Sequence, residues 1–195
     1  MSRIAAVVGC KEGWYVVRET PLPGPWHWFV ASSFEKAMER LESYDVIALD
    51  VPLSVFEVEP ANEPQAGIHE RYRQPAAKVQ EVHDYIRANP GIAHYLFEVH
   101  PHLSFLELEG GVAASEHRRD KLRLRDRLSC LCDVYPSGTL YDALTAYPRS
   151  EVGKIDILDA FAMLWSAKRI ATSRAERLPS TPVFDARGFD MAIWY

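Results

Sequence analysis

The sequence predicts an α/β fold in which helices flank a mixed sheet. Three short β-rich runs come first, at 3–8, 13–19 and 26–31, and turns that contain glycine or proline separate them, which favours an antiparallel meander. A nearly continuous apolar run at 45–52 and a strand at 95–100 each follow a helical pattern. Strands reached through helical crossovers become parallel neighbours, so the sheet is predicted to be part antiparallel and part parallel.

Helical patterns lie between and after these strands. Ser33 is a predicted N-cap for a helix that follows the third strand, and 76–88 repeats apolar residues at helical spacing. Pro101 is expected to end the strand before it, while 53–70, with prolines, a glycine and no clean period, is expected to form a surface loop. The rest of the chain is predicted to be mostly helical, at about 115–132, 138–147 and 154–173.

Length and composition indicate one domain spanning residues 1–195. The chain has 48% hydrophobic and 25% charged residues, which is ordinary for a globular protein. No apolar run reaches the roughly 18–20 residues that cross a bilayer, and the N-terminal segment resembles a first strand more than a signal peptide. We therefore expect a cytoplasmic protein without a membrane partner. Its 3 cysteines lack CxxC spacing and are expected to be free thiols.

The charge is unevenly distributed along the chain. A net charge of −5 disfavours nucleic acid as a partner if it is evenly spread. The segment 117–127, however, carries six Lys or Arg residues against two Asp residues, a local charge of +4 that leaves −9 on the rest. These cations are Arg118, Arg119, Lys121, Arg123, Arg125 and Arg127. Either they form the solvated face of a helix whose apolar stripe is Leu124, Leu128 and Leu131, or they contact the backbone of a nucleic acid.

Several acidic side chains are predicted to lie at the edge of the sheet where α/β folds bind ligands. Asp50 ends the central strand in IALDVP, and Glu98 lies near the end of the next strand in FEVHP. Asp156 and Asp159 are three residues apart on the predicted C-terminal helix and therefore share a face. Ligands bind beyond the carboxyl ends of parallel strands. If these acids meet there, they would hold Mg²⁺ or Mn²⁺, which prefer oxygen ligands.

Each of these residues also has a structural interpretation. Asp50 suits a turn, and Asp156 with Asp159 suits the N-cap and first turn of a helix. Glu98 is harder to explain in this way, because an acid buried in an apolar strand needs a partner or a metal. His100 is a ligand, a general base or a packed histidine. The sequence contains no GxxxxGK[ST], GxGxxG, GxSxG or HExxH motif.

Several motifs together resemble a known family. The stretches VGCKEGW, ALDVPLS, EVHPHLSF, DILDAFAMLWSAKR and a closing MAIWY resemble domain-of-unknown-function family 429, described as predicted RNase H-like nucleases. The resemblance implies a single RNase H-like domain with a two-metal phosphodiesterase centre, in which one ion activates water and the other steadies the leaving oxygen. It maps Asp50, Glu98, Asp156 and Asp159 onto acidic positions, and His100 onto the histidine after the glutamate.

One position departs from the family pattern. Members read GxDGCRxGW on the first strand, whereas this chain has Val8 in place of the aspartate. In RNase H-like enzymes this aspartate commonly bridges both metals, so its loss removes a ligand and a negative charge. Two main hypotheses follow: a metal-dependent nuclease whose basic segment contacts the substrate, and a noncatalytic module that binds nucleic acid or a protein. Nucleotide hydrolysis is a third, based on fold analogy alone.

Overall fold

A five-stranded mixed sheet forms the centre of the fold. The computed structural model describes residues 2–20, 26–53, 75–111, 124–185 and 190–195. The strands are β1 (Ile4–Cys10), β2 (Gly13–Glu19), β3 (Trp26–Ala31), β4 (Val46–Leu49) and β5 (Leu96–Glu98), in the spatial order β3-β2-β1-β4-β5. The first three are antiparallel, whereas β4 runs parallel to β1 and β5 runs parallel to β4. The predicted mixed sheet is confirmed.

Helices flank this sheet. In the described ranges they are α1 (Phe34–Glu39), α2 (Ala76–Ala88), α3 (Pro101–Leu108), α4 (Leu124–Cys132), α5 (Ser137–Thr145) and α6 (Lys154–Ala171), with a 3₁₀ turn at Pro90–His94. Ser33 caps α1 as predicted, and its hydroxyl accepts a hydrogen bond of 3.2 Å from the Lys36 N–H. Residues 115–123 of a predicted helix, and 54–70 of the predicted loop, lie outside the described residues. No described helix combines the length and apolarity needed to span a bilayer.

The sequence patterns do not predict three of the observed elements, one helix and two short strands. Pro101 follows the strand as expected but also opens α3, because a proline at the first helical position sacrifices no helical hydrogen bond. Near the C-terminus, β6 (Arg177–Leu178) and β7 (Ile193–Trp194) form a small antiparallel sheet. Strands this short contain too few residues for a period to be visible in the sequence.

The sheet separates two apolar cores. On one side α6 packs against β1, β2 and β4, and the core there includes Ala6, Val8 and Ala48. On the other side Val7 and Leu49 pack with residues of α1 and α2. Every residue of β1 is buried, as expected for a strand covered on both faces. Alternation along β1 and β4 therefore decides which core each side chain enters.

The turn between β1 and β2 depends on Gly13. Its φ is +136°, and a Cβ at this position would lie 2.1 Å from the carbonyl oxygen of Ala31. Two contacts from α2 hold this turn in place. Lys78 Nζ donates a hydrogen bond of 2.5 Å to the Gly13 carbonyl, and Trp14 Nε1 donates one of 3.0 Å to Glu81. The turn is thus fixed between α2 and the end of β3.

We predict that Gly13→Ala lowers the free energy of unfolding by about 2 kcal/mol or more, because the new methyl group meets backbone and the φ is unfavourable for alanine. Gly91→Ala is the matched control, since a Cβ there has no heavy atom within 4 Å. It should change stability by less than about 1 kcal/mol. Urea denaturation measures both variants, and equal losses would contradict the steric argument.

Candidate functional site

Asp50 and Glu98 lie at the carboxyl edge of two neighbouring parallel strands. Asp50 directly follows β4, and Glu98 is the last residue of β5. Both are buried, with 5% of each residue exposed. This is the edge expected for the two acids from the order of the strands.

The register of β4 and β5 nevertheless assigns these two residues to opposite faces of the sheet. Glu98 pairs with Leu49, one residue before Asp50. Because successive residues of a strand face opposite sides, Glu98 shares the face of Leu49 and Leu96, which pack with α1 and α2. Asp50 lies two residues after Ala48, so by the same alternation it belongs to the face that α6 covers. A shift of one residue therefore places Asp50 and Glu98 at positions that face opposite sides of the sheet.

Glu98 holds the chain segment that follows Asp50. Its Oε2 accepts a hydrogen bond of 2.8 Å from the Leu53 N–H, and His83 Nε2 donates one of 2.7 Å to the Pro52 carbonyl. Since a carbonyl oxygen only accepts, the His83 proton lies on Nε2. The sequence patterns did not single out His83 as functional, although its place on the apolar face of α2 is a signal for burial.

Asp159 forms a buried ion pair with Arg127. Asp159 lies in the second turn of α6, and Arg127 reaches it from α4. The two residues are 5% and 6% exposed. The Arg127 guanidinium also lies over the Phe105 ring of α3, with Cζ 4.8 Å from the ring centroid. One guanidinium therefore connects α3, α4 and α6.

The expectation that Arg127 belongs to an exposed basic face is wrong. Arg127 lies four residues before the buried Leu131 and shares its side of α4, whereas Leu124, predicted in the apolar stripe, is 39% exposed. A cation is tolerated on the buried side because Asp159 compensates its charge. Arg125 is exposed on the same helix. The remaining predicted cations lie outside the described residues: Arg118, Arg119, Lys121 and Arg123.

Asp156 and His100 make contacts at helix N-termini. Asp156 is the third residue of α6, and its Oδ2 accepts a hydrogen bond of 3.2 Å from the Gly153 N–H, so Gly153 rather than Asp156 is the N-cap. His100 is the N-cap of α3, and its Nδ1 accepts a hydrogen bond of 3.2 Å from the His102 N–H. Both contacts satisfy backbone donors that a helix leaves unpaired. The chemical roles expected for the two side chains stay predictions.

Val8 lies at the position where the resemblance to the family leads us to expect an aspartate. It is 2% exposed and belongs to the core that α6 covers. Its neighbour Val7 pairs with Leu49, so Val8 and Asp50 are at adjacent positions on parallel strands. A valine supplies no ligand, and Asp50 has an apolar neighbour there instead of a second carboxylate.

As placed, these residues do not fit a divalent ion shared by all the predicted ligands. In the described part of the chain, no three or more His, Cys, Asp or Glu side chains form a group able to hold a metal ion. Three observations account for this: the offset of Glu98 from Asp50, the capping contact of Asp156, and the ion pair of Asp159.

The fold and these contacts define an α/β protein with two buried acids at the carboxyl edge of its sheet and a buried ion pair on its longest described helix. The chain belongs to the family described as "Protein of unknown function (DUF429)", whose model matches residues 56–183. The membership expected from the motifs is confirmed. The matched range includes Glu98, Asp156 and Asp159 but neither Val8 nor Asp50. No curated protein and no solved structure matches the chain.

We predict that Arg127→Met and Asp159→Asn each lower the free energy of unfolding by about 3–5 kcal/mol, because either change leaves one buried partner of the pair uncompensated. The double variant should lose less than the sum of the two single losses. Urea denaturation of all four proteins gives the coupling energy.

An exposed ion pair supplies the control for this cycle. Arg87 Nη1 lies 2.5 Å from Asp84 Oδ1, and the two side chains are 45% and 56% exposed, respectively. Arg87→Met should therefore cost less than about 1 kcal/mol. Similar losses for Arg87→Met and Arg127→Met would contradict the buried pair.

We further predict that Glu98→Ala destabilises the protein by about 2–3 kcal/mol, because the buried Leu53 N–H loses its acceptor. Glu98→Gln should cost less, since its amide oxygen can still accept that hydrogen bond. Thermal unfolding in EDTA compares the two variants without any contribution from metal. Equal melting temperatures would show that the Leu53 contact is not what Glu98 contributes.

Proposed function

We propose that this protein is an RNase H-like domain that binds nucleic acid without metal-dependent cleavage. The observation that carries this proposal is the buried ion pair of Asp159 with Arg127, on the helix that the family resemblance expects to supply metal ligands. Val8, at the expected position of the first-strand aspartate, supports the same conclusion.

The order and direction of the strands support the RNase H-like part of the proposal. Three antiparallel strands are followed by α1, β4, α2 and β5, with β4 and β5 parallel to β1. This is the β-β-β-α-β-α-β order that the resemblance implies. The long helix α6 then packs across β1, β2 and β4. The topology therefore agrees with an RNase H-like domain at the level of element order.

The electrostatics of the α6 face argue against hydrolysis that depends on two metals. Two divalent ions held close together need several carboxylates to offset their charge. On this face the first-strand position is valine, and the charge of Asp159 is balanced by Arg127. Glu98 does not add negative charge to this face, because the strand alternation assigns it to the opposite face of the sheet. Asp50 remains on this face, but with Asp159 paired the expected Mg²⁺ or Mn²⁺ would meet fewer carboxylates than two ions need.

The basic segment supports nucleic acid as the partner. With Arg127 assigned to Asp159, the sequence from 117 to 126 still carries five Lys or Arg residues against two Asp residues. The described member of this set, Arg125, is exposed at the start of α4. Lysine and arginine side chains that contact phosphates release bound counterions, which gives affinity without sequence specificity.

The test is fluorescence anisotropy of labelled single-stranded and duplex oligonucleotides in EDTA. We expect binding that weakens as salt rises from 50 to 200 mM. Arg118→Ala combined with Arg119→Ala should reduce the slope of log affinity against log salt by about 2, because two phosphate contacts are lost. The matched control combines Arg149→Ala with Arg174→Ala, two exposed arginines elsewhere in the chain, and should leave the slope unchanged.

Two results would overturn the proposal. Absence of binding at 50 mM salt would favour the protein-interaction module instead. Cleavage of end-labelled oligonucleotides in Mn²⁺, lost in Asp50→Asn, would favour the metal-dependent nuclease. The nuclease is the second candidate because Asp50 and Glu98 are both buried at the carboxyl ends of neighbouring parallel strands, the edge at which α/β sheets bind ligands.

A further inference from the structure

We infer that the Arg127 guanidinium is a built-in counter-charge that takes the place of a divalent ion beside Asp159 and excludes such an ion from this carboxylate. The inference goes beyond nucleic-acid binding, since it concerns what Asp159 accepts and not what the basic segment contacts. It follows from the burial of the pair, from the way α4 is anchored, and from the chemistry of arginine.

Burial makes a cation necessary at this position. Asp159 is 5% exposed, and an ionised carboxylate with so little access to water needs a nearby positive charge or several strong donors. In a metal site the ion supplies that charge. Here Arg127, itself 6% exposed, supplies it from the protein.

The packing of α4 fixes the position of Arg127. Leu131, on the same side of this helix, is completely buried, and Phe105 of α3 lies under the guanidinium. Tyr135, three residues after α4 ends, donates a hydrogen bond of 3.0 Å from its hydroxyl to the Phe161 carbonyl of α6. The Phe105 ring under the guanidinium, the buried Leu131 and the Tyr135 hydrogen bond therefore hold Arg127 against α6, the helix that carries Asp159.

The chemistry of arginine makes this counter-charge permanent. A guanidinium remains protonated throughout the pH range in which proteins fold, so raising the pH does not remove it as it would remove a lysine charge. A divalent ion at Asp159 would have to displace the guanidinium or lie beside it, and like charges repel strongly at low solvent exposure. Arginine and metal therefore compete for one carboxylate.

Thermal unfolding with and without MnCl₂ tests this competition. We expect Mn²⁺ to leave the melting temperature of the natural protein within about 1 °C of its value in NaCl of equal ionic strength, which controls for screening. Arg127→Met should melt roughly 10 °C lower than the natural protein without metal. Mn²⁺ at about ten times its dissociation constant should then raise that melting temperature by roughly 4 °C. The double variant Arg127→Met, Asp159→Asn should show no such rise.

Three outcomes would overturn the inference. The first is an absence of any Mn²⁺-dependent rise in Arg127→Met, and the second is an equal rise in the double variant. The third is a rise in the natural protein that Asp159→Asn removes, since the metal would then bind beside the arginine. These readouts are independent of the oligonucleotide assay in EDTA, so this inference and the proposed function can fail separately.

A second measurement covers the case in which Arg127→Met does not fold. Electron paramagnetic resonance counts Mn²⁺ bound to the natural protein and to Asp159→Asn, which needs no change at Arg127. Equal numbers of bound ions in the two proteins support the exclusion of metal from Asp159. One ion fewer in Asp159→Asn overturns it.

Discussion

The parallel pairing of β1, β4 and β5 determines where the acids of this protein lie. It brings the ends of the three strands to one edge, and its register assigns each side chain to one of two cores. Glu98 pairs with Leu49, so it belongs to the face of α1 and α2, where it holds the Leu53 backbone. Asp50, one residue later, follows the alternation of the face under α6. Asp50 and Glu98 therefore share an edge of the sheet but belong to opposite faces of it.

The ion pair of Arg127 and Asp159 has a matching role on the other side of the sheet. Two helices that approach each other through leucine and phenylalanine alone have several ways to pack, and a buried charge pair permits few of them. Such pairs often contribute little net stability, because desolvation costs about as much as the attraction gains. What the structure shows is a link between three helices, since the guanidinium of α4 contacts Asp159 of α6 and Phe105 of α3 at once.

The five strands of the central sheet and most of the described helices could be predicted because their signals are local. The β-rich runs of β2 and β3, the apolar run of β4 and the serine before α1 each lie within a few residues of the element they define. The location of the two strand acids could also be predicted, because it depends only on strand order. Pro101 illustrates the limit of such local signals. A proline favours both the end of a strand and the first turn of a helix, and in this chain α3 begins at Pro101 directly after the strand.

The organisation of the candidate site could not be predicted in the same way, because it depends on contacts between distant segments. The face that Glu98 occupies follows from a register of one residue, which no local pattern specifies. Whether Arg127 points outward or inward depends on Asp159, which lies 32 residues later in the chain. A helix with arginines at several positions favours solvent exposure until a buried carboxylate is known to face one of them. Local sequence patterns therefore predict the helices and strands, whereas strand register and the Arg127–Asp159 ion pair determine the candidate site.

The charges on the α6 face connect these observations. Val8 contributes no charge at its position on the first strand, and Arg127 places one positive charge beside Asp159. On this face a guanidinium of the protein itself compensates the buried carboxylate of Asp159. In the arrangement that we propose, a cation of the protein takes the position that a divalent ion would occupy beside Asp159.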